Sequence, residues 1–381
     1  DRNKHRFEGM WPLPYGVSYN SYLIDDEMVA LVDTVDICYF EVYLRKIKQV
    51  IGERPINYLI INHMEPDHSG SIRLIKQHYP EIIIVGNKQT FGMIEGFYGV
   101  TGEQYLVKEG DFLALGHHKL RFYMTPMVHW PETMMTFDET DGVLFSGDGF
   151  GCFGTVDGGF LDTRINVDKY WGEMVRYYSN IVGKYGSPVQ KALQKLGGLP
   201  ISAICSTHGP VWTENIAKVI GIYDRLSRYD ADEGVVIAYG SMYGNTEQMA
   251  EAIAEELSAQ GVKNIVMHNV TKSHPSYIIA DIFRYKGLII GSPTYSNQIF
   301  PEVEALLSKI LLREVKGRYL GYFGSFTWAG AAVKRLAEFA EKSKFELVGD
   351  PVEMKQAMKD LTYTQCENLA RAMADRLKKD R

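Results

Sequence analysis

Residues 58–70 read YLIINHMEPDHSG, a strand-like run that ends directly in a cluster of metal-binding side chains. The apolar residues Tyr58 to Asn62 predict a buried strand, and the pattern after Gly70 predicts a helix. The loop between them carries four potential ligands: His63, Glu65, Asp67 and His68. Two imidazoles and two carboxylates this close in sequence would repel or stay unsatisfied without a cation, so the loop predicts a metal site.

Three further candidate ligands follow later strand-like runs. They are His129 after FYMTPMV, Asp148 after LFSG, and His208 after ISAICST. Loops at the ends of parallel strands commonly form ligand sites in α/β folds. Each of these residues is unremarkable alone, but together with the first four they form a spaced set of imidazoles and carboxylates.

The chain of 381 residues is 45% hydrophobic, which is enough for two domains that each bury a core. The charged stretch SRYDADE, residues 227–233, interrupts the apolar periodicity, so we place the boundary there, with domains at 1–232 and 233–381. The strands predicted before it are Val17–Ile24, Val29–Asp33, Tyr58–Asn62, Ile82–Val85, Leu120–Thr125, Val143–Ser146 and Ile201–Ser206. The strands predicted after it are Val235–Tyr239, Ile265–Val270, Gly287–Gly291, Tyr319–Ser325 and Phe345–Val348. The second group alternates with helices, the last a tail from Leu369 to Arg381, which predicts a doubly wound parallel sheet.

Charge and hydropathy exclude several classes of partner. A net charge of -6 and a pI near 6.0 argue against nucleic acid as a main partner. No apolar run approaches the roughly 18 residues needed to cross a bilayer, and the charged start, Asp1–Arg6, does not resemble a signal peptide. We expect a cytoplasmic protein. The first residue is not Met, and the sequence leaves open whether a short N-terminal segment precedes it.

The second domain carries three loops of small residues at predicted strand ends. In the first, SMYGNT (241–246), hydroxyls and backbone N–H groups at a helix start can hold a phosphate, and the pattern is neither G-x-G-x-x-G nor a Walker loop. The other two, GSPTYSN (291–297) and GSFTWAG (324–330), add aromatic residues that can flank a flavin ring. The predicted flavin-binding residues are Ser241, Met242, Tyr243, Gly244, Asn245, Thr246, Ser292, Pro293, Thr294, Tyr295, Ser296, Asn297, Ser325, Phe326, Thr327, Trp328, Ala329 and Gly330.

Both halves resemble known families. Over residues 17–212 the seven candidate ligands resemble those of the metallo-β-lactamase superfamily of two-metal αββα sandwiches, and the first loop of the second domain resembles the flavodoxin phosphate loop, which binds FMN. Zinc hydrolases of that superfamily usually carry His where this chain has Glu65, and more oxygen ligation shifts the preference toward iron or manganese. In this order the two halves identify the chain as a member of the flavodiiron (A-type flavoprotein) family, with an α/β fold of an αββα sandwich plus a flavodoxin-like five-stranded parallel sheet.

The resemblance implies an oxidoreductase that reduces dioxygen to water, nitric oxide to nitrous oxide, or both, at a non-haem diiron centre that receives electrons through FMN. It assigns one iron to His63, Glu65 and His129, the other to Asp67, His68 and His208, and the bridge to Asp148. His68 is the least secure ligand, because water displaces the corresponding residue in some relatives. No catalytic residue is predicted beyond the metal ligands.

Partners also follow from the resemblance. The resemblance implies head-to-tail dimers that bring one subunit's flavin beside the other's irons, so we expect a homodimer, with a dimer of dimers as the alternative assembly. The four cysteines form no C-x-x-C pair, so the chain itself lacks a rubredoxin-type site. Electrons are therefore expected from an external donor, with rubredoxin the first candidate and a reduced deazaflavin the alternative.

Two other functions remain open at this point. The first is a two-zinc hydrolase with an appended flavodoxin-like domain, against which Glu65 argues. The second is an electron-transfer module without a working metal centre, against which the complete ligand set argues. Trp130 and Tyr19 are candidates for the surrounding shell, although simple packing is the favoured interpretation. Several relatives carry His where this chain has Glu8, and the sequence favours neither a pocket role nor a solvated side chain there.

Overall fold

The computed structural model describes residues 1–380, which divide into two compact units. Unit 1 consists of Asp1–Tyr178 and Tyr185–Ser227, and unit 2 consists of Ser179–Lys184 and the chain from Arg228 onward. The boundary between residues 232 and 233 stays a prediction, close to the division after Ser227.

Unit 1 combines short strands with helices. Its strands are β1 (Arg6–Phe7), β2 (Trp11–Pro12), β3 (Tyr22–Ile24), β4 (Ala30–Val32), β5 (Tyr58–Ile60), β6 (Ile83–Gly86), β7 (Gln104–Leu106), β8 (Phe112–Ala114), β9 (Lys119–Met124), β10 (Met134–Asp138), β11 (Val143–Gly147) and β12 (Ala203–Ser206). Its helices are α1 (Phe40–Ile51), α2 (Pro66–Ser69), α3 (Ile72–His78), α4 (Lys88–Tyr98), α5 (Asp168–Tyr177), α6 (Gly186–Leu196) and α7 (Ile216–Ser227).

Two five-stranded sheets form the centre of unit 1. The first has the order β3-β4-β5-β6-β7, and the second has the order β12-β11-β10-β9-β8. One buried apolar cluster takes Val32 and Ile60 from the first sheet and Phe122 and Phe145 from the second, so the two sheets face each other. Alternate residues of the same strands point the other way, since successive side chains of a strand leave opposite faces.

That opposite face of the first sheet is covered by helices. Leu31 and Leu59 belong to a second buried cluster together with Leu44 of α1 and Ile75 of α3. Alternation along β4 and β5 therefore fills both a sheet-to-sheet core and a helix-to-sheet core. The result is the predicted sandwich of layers, and it places the loops after β5 and β11 at the strands' carboxyl ends.

Unit 2 is built on a parallel sheet. Its strands are β13 (Asp232–Tyr239), β14 (Ile265–Asn269), β15 (Tyr285–Tyr295), β16 (Gln298–Ile299), β17 (Tyr319–Phe326), β18 (Glu346–Leu347) and β19 (Val352–Lys355). Its helices are α8 (Asn245–Ala259), α9 (Pro275–Arg284), α10 (Pro301–Arg313), α11 (Ala332–Ser343) and α12 (Asp360–Lys378).

The strand order in unit 2 is β14-β13-β15-β17, with β18 and then β19 pairing in parallel with the far side of β17. β16 adds an antiparallel partner to the end of β15. Helices α8 and α12 pack on one face, where Ile253 and Leu369 join Ile237 and Ile289 in a buried cluster. The predicted doubly wound parallel sheet is thereby confirmed.

Several predicted segments differ in extent. Only Tyr22–Ile24 of the first predicted strand is a strand, because Val17 makes an isolated bridge to Gly154 instead. The last predicted strand is split into β18 and β19. The predicted helical tail is contained in α12 as far as Lys378, and Arg381 lies outside the described residues.

Two absences hold for residues 1–380. No helix among them combines the length and the apolar character that crossing a membrane requires. The four cysteines are free thiols: Cys152, Cys205 and Cys366 are buried, and Cys38 is exposed.

Candidate functional site

The first group of predicted ligands converges at the carboxyl ends of β5 and β11. His63 and Glu65 follow β5, Asp148 directly follows β11, and His129 lies between β9 and β10. The His129 Nε2 atom is 3.1 Å from Glu65 Oε2 and 3.0 Å from Asp148 Oδ2, while His63 Nε2 is 3.4 Å from the Glu65 oxygen. All four side chains are buried. Each group thus directs one ligand atom toward a common point.

The second group forms around His68. Its Nε2 atom lies 3.0 Å from His208 Nε2, 3.3 Å from Asp67 Oδ2 and 3.1 Å from Asp148 Oδ1. Asp67 and His68 belong to the short helix α2, which Pro66 begins, and His208 follows β12. The ligand atoms of Asp67, His68 and His208 all lie within 4.8 Å of one another.

Asp148 belongs to both groups. Its Oδ2 atom faces His129, whereas its Oδ1 atom faces His68 and lies 3.7 Å from His208 Nε2. Gly147 before it has a positive φ of 55°, which turns the chain sharply at the end of β11 and directs the carboxylate between the groups. One carboxylate with an oxygen toward each group is the arrangement that a metal bridge requires.

The donor set fits two metal ions. Metal–ligand bonds of about 2.0–2.2 Å place neighbouring ligand atoms roughly 3.0–3.5 Å apart, which matches most of the separations above. Both carboxylate oxygens of Asp67 are buried and accept no hydrogen bond from any residue in 1–380. Two imidazole nitrogens that face each other at 3.0 Å also need a shared proton or a cation between them. With Asp148 shared, each ion would have two imidazoles and two carboxylates, a mixture that suits iron.

Electrostatics in the protein chain alone show how strongly these groups interact. Burial by itself lowers the pKa of His68, but Asp67 and Asp148 outweigh it and raise that pKa to about 9. Burial also opposes the shift at His129, whose pKa rises to about 9 through hydrogen bonds to Asp148 and Glu65. For Asp148, burial favours the neutral form, yet the surrounding imidazoles hold its pKa well below the usual range. The carboxylates therefore provide negative charge that a metal cation would neutralise.

Four residues that the sequence analysis missed support the ligands. The Glu132 carboxylate, fully buried, accepts a hydrogen bond from His63 Nδ1 at 2.9 Å. Burial raises and this hydrogen bond lowers the pKa of Glu132, with a net decrease. Tyr177 and Thr207 donate hydroxyl hydrogen bonds to Asp148 at 2.9 and 2.5 Å, and the carbonyl of Ser18 accepts from His208 Nδ1 at 2.7 Å.

Three candidate shell residues from the sequence analysis, Trp130, Tyr19 and Glu8, lie beside the ligands. The Trp130 ring lies edge-on to the His63 imidazole, with centroids 5.4 Å apart. Tyr19 packs edge-on against His208 at 5.9 Å, and its hydroxyl accepts a hydrogen bond from Lys4 Nζ at 2.6 Å. Glu8 is next to Glu65: burial and that carboxylate raise the pKa of Glu8 to about 7, while Trp11 Nε1 donates to it.

A cavity of about 700 Å³ gives access to this cluster. Glu65 and Asp67 form part of its wall, together with Glu8 and Lys4. The remainder is largely apolar, with Phe7, Ile37, Leu74 and Phe97 among the lining residues. A small uncharged molecule can therefore reach the ligand carboxylates through an apolar approach.

In unit 2 the three predicted flavin loops meet at one edge of the sheet. The parallel register pairs Tyr239 with Gly291 and Gly291 with Phe323, so β13, β15 and β17 end side by side. The segments that follow them are 240–244, 296–297 and 327–331. The structure thus brings together the loops that contain the predicted residues.

Hydrogen bonds join these loops. Thr246, in the first turn of α8, is buried, and its hydroxyl lies 2.9 Å from the Ser325 hydroxyl. Thr294 Oγ1 accepts from the backbone N–H of Ala331 at 3.0 Å. The buried Ser292 hydroxyl donates to the Pro293 carbonyl and accepts from the backbone N–H of Phe300. The Ser241 hydroxyl accepts from the backbone N–H of Gly244.

The aromatic residues of the same edge are open to solvent. Tyr243 is 92% exposed, Trp328 is 80% exposed and Tyr295 is 47% exposed. The N-terminus of α8 directs its backbone N–H groups toward this edge, as anion binding requires. A phosphate held there, with a planar ring between exposed aromatics, fits FMN, and the residues present agree with that cofactor.

Comparisons with known proteins agree with this structure. A family model described as ODP family beta lactamase matches residues 17–209, and a flavodoxin model matches residues 237–368. The chain is 33% identical over 336 residues to the anaerobic nitric oxide reductase flavorubredoxin of Vibrio vulnificus, covering 87% of this chain and 68% of that protein.

Solved structures show the same likeness. Rubredoxin oxygen:oxidoreductase from Desulfovibrio gigas superimposes with a TM-score of 0.95 at 31% identity, covering 100% of this chain and 95% of that one. The flavodiiron protein from Giardia intestinalis gives a TM-score of 0.93 at 26% identity, with coverage of 100% and 95%. The predicted fold and family are confirmed, and the two-zinc hydrolase is not favoured. The chain is a member of the flavodiiron protein family.

Proposed function

We propose that this chain reduces dioxygen to water, nitric oxide to nitrous oxide, or both, with electrons that pass through FMN to two iron ions. The observation that carries the proposal is the position of Asp148, whose two carboxylate oxygens face two separate groups of ligand atoms. His63, Glu65 and His129 would hold one iron, Asp67, His68 and His208 the other, and Asp148 would bridge them. A flavodoxin unit in the same chain supplies the electron carrier that a hydrolase would not need.

Both reactions consume protons and electrons in equal number. Dioxygen takes four of each to give two water molecules, and two nitric oxide molecules take two of each to give nitrous oxide and one water. When bound, FMN would supply electrons singly or in pairs, and the two iron ions would supply the redox chemistry at the oxidant. The cavity beside Glu65 and Asp67 would admit these small uncharged substrates through its apolar wall.

The residues of the chain would orient the centre and supply protons. Tyr177 and Thr207 hold Asp148 in place through hydroxyl hydrogen bonds. The Glu8 carboxyl, whose pKa is raised to about 7, can hold a proton near neutral pH beside Glu65, and the Lys4 side chain lies on the same cavity wall, where its Nζ donates to the Tyr19 hydroxyl. Trp130 and Tyr19 restrict the space around the imidazoles by packing.

The partners of the reaction are also proposals. An external donor delivers electrons to FMN, and rubredoxin is the first candidate because the names of several relatives refer to it; a reduced deazaflavin is the alternative. A head-to-tail homodimer, or a dimer of such dimers, is expected from the family resemblance, and a cytoplasmic location is the proposal made from the sequence alone. Light scattering of the purified protein, and stopped-flow reduction by each donor, would test the dimer and the donor separately.

The reaction itself can be tested with protein loaded with iron and FMN. The protein is reduced without oxygen and then mixed with separate pulses of dioxygen and nitric oxide, while the flavin absorbance is followed. Rapid reoxidation by one or both oxidants is expected, with water or nitrous oxide as the product. Flavin that stays reduced with both oxidants would contradict the proposed function.

Metal analysis separates the proposal from the hydrolase. Protein purified from cells grown with adequate iron should contain close to two iron ions and one FMN per chain. Two zinc ions without iron, together with hydrolytic activity, would favour the hydrolase instead. Iron-loaded protein that has no FMN would argue against the electron path.

A further inference from the structure

Glu132 lies behind one imidazole of the metal cluster, on the side away from the ligand atoms. It comes just after His129 in the chain and just before β10, and its side chain is fully buried. Its Oε1 atom accepts two hydrogen bonds, from His63 Nδ1 at 2.9 Å and from the backbone N–H of Met64 at 2.8 Å. One carboxylate therefore ties the His63 ring to the backbone of the ligand loop.

The position of Glu132 is itself fixed. Asn87 Nδ2 donates to the Glu132 backbone carbonyl at 2.6 Å, and the same side chain caps the start of α4. The backbone of Glu132 is thus tied to a helix cap, and its carboxylate is held by the two hydrogen bonds from His63 and Met64. A support held this firmly can determine the orientation of the ring that it contacts.

The contact also determines the tautomer of His63. An ionised carboxylate only accepts hydrogen bonds, so the proton must be on Nδ1 and the lone pair on Nε2, which faces Glu65 at 3.4 Å. The reverse tautomer would place two acceptors against each other at Nδ1. Glu132 therefore selects the form of His63 that can bind a metal ion.

The other imidazoles lack an equivalent carboxylate. His208 Nδ1 donates to the neutral backbone carbonyl of Ser18 at 2.7 Å. His68 Nδ1 is buried and has no hydrogen-bond partner in residues 1–380. Of these three rings, only His63 has a carboxylate hydrogen-bonded to its Nδ1, which makes its Nε2 a stronger electron donor than a neutral acceptor would.

The second oxygen of Glu132 carries charge that no hydrogen bond within residues 1–380 compensates. Oε2 is buried and no described residue donates a hydrogen bond to it. A buried acceptor without a donor destabilises the fold, more so when it carries charge. A glutamine would offer the same acceptor to His63 Nδ1, but it would place an amide NH2 group where Oε2 lies. The two side chains differ mainly in charge, so this substitution isolates the electrostatic effect of the carboxylate on the His63 ring.

From this geometry we propose that Glu132 is a positioning residue that fixes the His63 ring and lowers the reduction potential of the metal ion held by His63, Glu65 and His129. The inference rests on the proposed ligand set and goes beyond it, since it makes the two metal positions electronically different. A more strongly donating imidazole stabilises the higher oxidation state of the ion that it binds. The ion near Asp67, His68 and His208 has no such support.

Two substitutions separate the position of the ring from the charge. Glu132→Ala removes both the acceptor and the charge, whereas Glu132→Gln keeps an acceptor for His63 Nδ1 and removes only the charge. Asp162→Asn serves as the matched control, because Asp162 is a buried carboxylate of unit 1 that accepts backbone N–H groups from Thr213 and Asn215 instead of a ligand imidazole.

The experiment measures metal binding and potentials rather than turnover. Iron(II) affinity is determined by chelator competition, and the iron potentials by anaerobic redox titration followed by electron paramagnetic resonance. Glu132→Ala should weaken iron binding about 10–100-fold. Glu132→Gln should bind iron more tightly than the Ala variant and should shift one iron couple to a more positive potential. Asp162→Asn should match the wild type in both measurements.

The outcomes distinguish the inference from the function on which it rests. Wild-type affinity and potentials in both Glu132 variants would overturn the inference and leave the proposed function intact. A loss of affinity in the Ala variant without any shift of potential in the Gln variant would overturn the role of the charge. Wild-type protein that binds no iron would instead overturn the proposed function. Far-ultraviolet circular dichroism and FMN content identify any variant that fails to fold.

Discussion

The metal cluster and the flavin edge, which consists of the loops 240–244, 296–297 and 327–331, differ in how far their side chains are buried and held in place without a cofactor. In the cluster, His63, His68 and His208 are fully buried, and hydroxyls hold the Asp148 carboxylate in place. At the flavin edge, Tyr243 and Trp328 are mostly exposed, and the loops are joined by few side-chain contacts. Metal ligands must be desolvated and correctly oriented before they bind, whereas a large planar cofactor can itself provide the surface that orders its loops.

This difference has a consequence for mutations. Small changes near the cluster should disturb it strongly, because each atom there already has a packed neighbour. Changes of the same size in the flavin loops should have small effects on the fold and appear mainly as weaker cofactor binding. The following predictions test that contrast, from the largest expected effect to the smallest.

Asp148→Ala should abolish binding of both metal ions, because its two oxygens face both groups of ligands. We expect a loss of more than about 100-fold in iron affinity, the upper end for changes outside the ligand set. FMN content should not change. Metal analysis and the visible spectrum measure the two effects, with the exposed Asp141→Ala as control. Loss of FMN from the Asp148 variant would contradict the independence of the two sites.

Gly209→Ala and Gly244→Ala compare the two sites directly. Both glycines have positive φ, 84° and 90°, but a Cβ at residue 209 would lie 2.3 Å from Cys152 Sγ, whereas one at residue 244 meets nothing within 4 Å. We expect the first to destabilise the fold by about 2–5 kcal/mol, from strain and overpacking beside His208, and the second by about 1–2 kcal/mol from strain alone. Denaturant unfolding measures both. Equal losses would show that the flavin loop is as tightly constrained as the cluster.

Thr246→Val should weaken FMN binding by about 10–100-fold, because it removes a hydroxyl placed to bond the phosphate and to contact Ser325. Iron content should stay at the wild-type level. Fluorescence titration of FMN-free protein measures the affinity. Thr271→Val, an exposed threonine of the same unit, is the matched control. An unchanged affinity would remove Thr246 from the phosphate site.

Acid should remove one stabilising contact from unit 1. Burial raises the pKa of Asp162, but hydrogen bonds from Thr213 and Asn215 outweigh it and lower that pKa. The ionised carboxylate therefore contributes stability fully above its unfolded pKa of about 4, and the contribution is lost as the pH falls through the lower folded pKa. Asp162→Asn should cost about 2 kcal/mol at pH 7 and progressively less below pH 4. Unfolding curves at several pH values measure this, and a cost independent of pH would contradict it.

Much of the architecture could be predicted from the sequence because it depends on local patterns. The alternation of strands and helices after SRYDADE indicated the doubly wound sheet, and His63 to His68 lie within one loop. The positions of His129, Asp148 and His208 at later strand ends were suggestive only through the family resemblance. The structure brings them to the same place, and their roles as ligands stay a prediction.

The supporting residues could not be predicted in the same way. Glu132 contacts His63 across 69 residues of sequence, and the Ser18 carbonyl contacts His208 across 190 residues. Every residue has a backbone carbonyl, so the residue type does not show which carbonyl accepts a hydrogen bond from a ligand. A single sequence also does not distinguish a buried glutamate from one on the surface. The one available signal was that Glu132 lies three residues after His129 in the sequence. A carboxylate that close to a predicted ligand can reach the metal site and support another ligand there. The split of the last strand into β18 and β19 likewise depends on pairing with β17 rather than on local pattern.

The free cysteines have a consequence for a protein that handles oxidants. Thiolates, not thiols, react with peroxides and related species. Burial raises the pKa of Cys205 and Cys366 to about 12 and places that of Cys152 well above its usual value, while hydrogen bonding to Asp36 raises the pKa of exposed Cys38. All four sulfur atoms therefore stay protonated at neutral pH. Chemical damage during turnover should fall on other groups first, and the chain should tolerate repeated exposure to its own substrates without forming sulfenic acids.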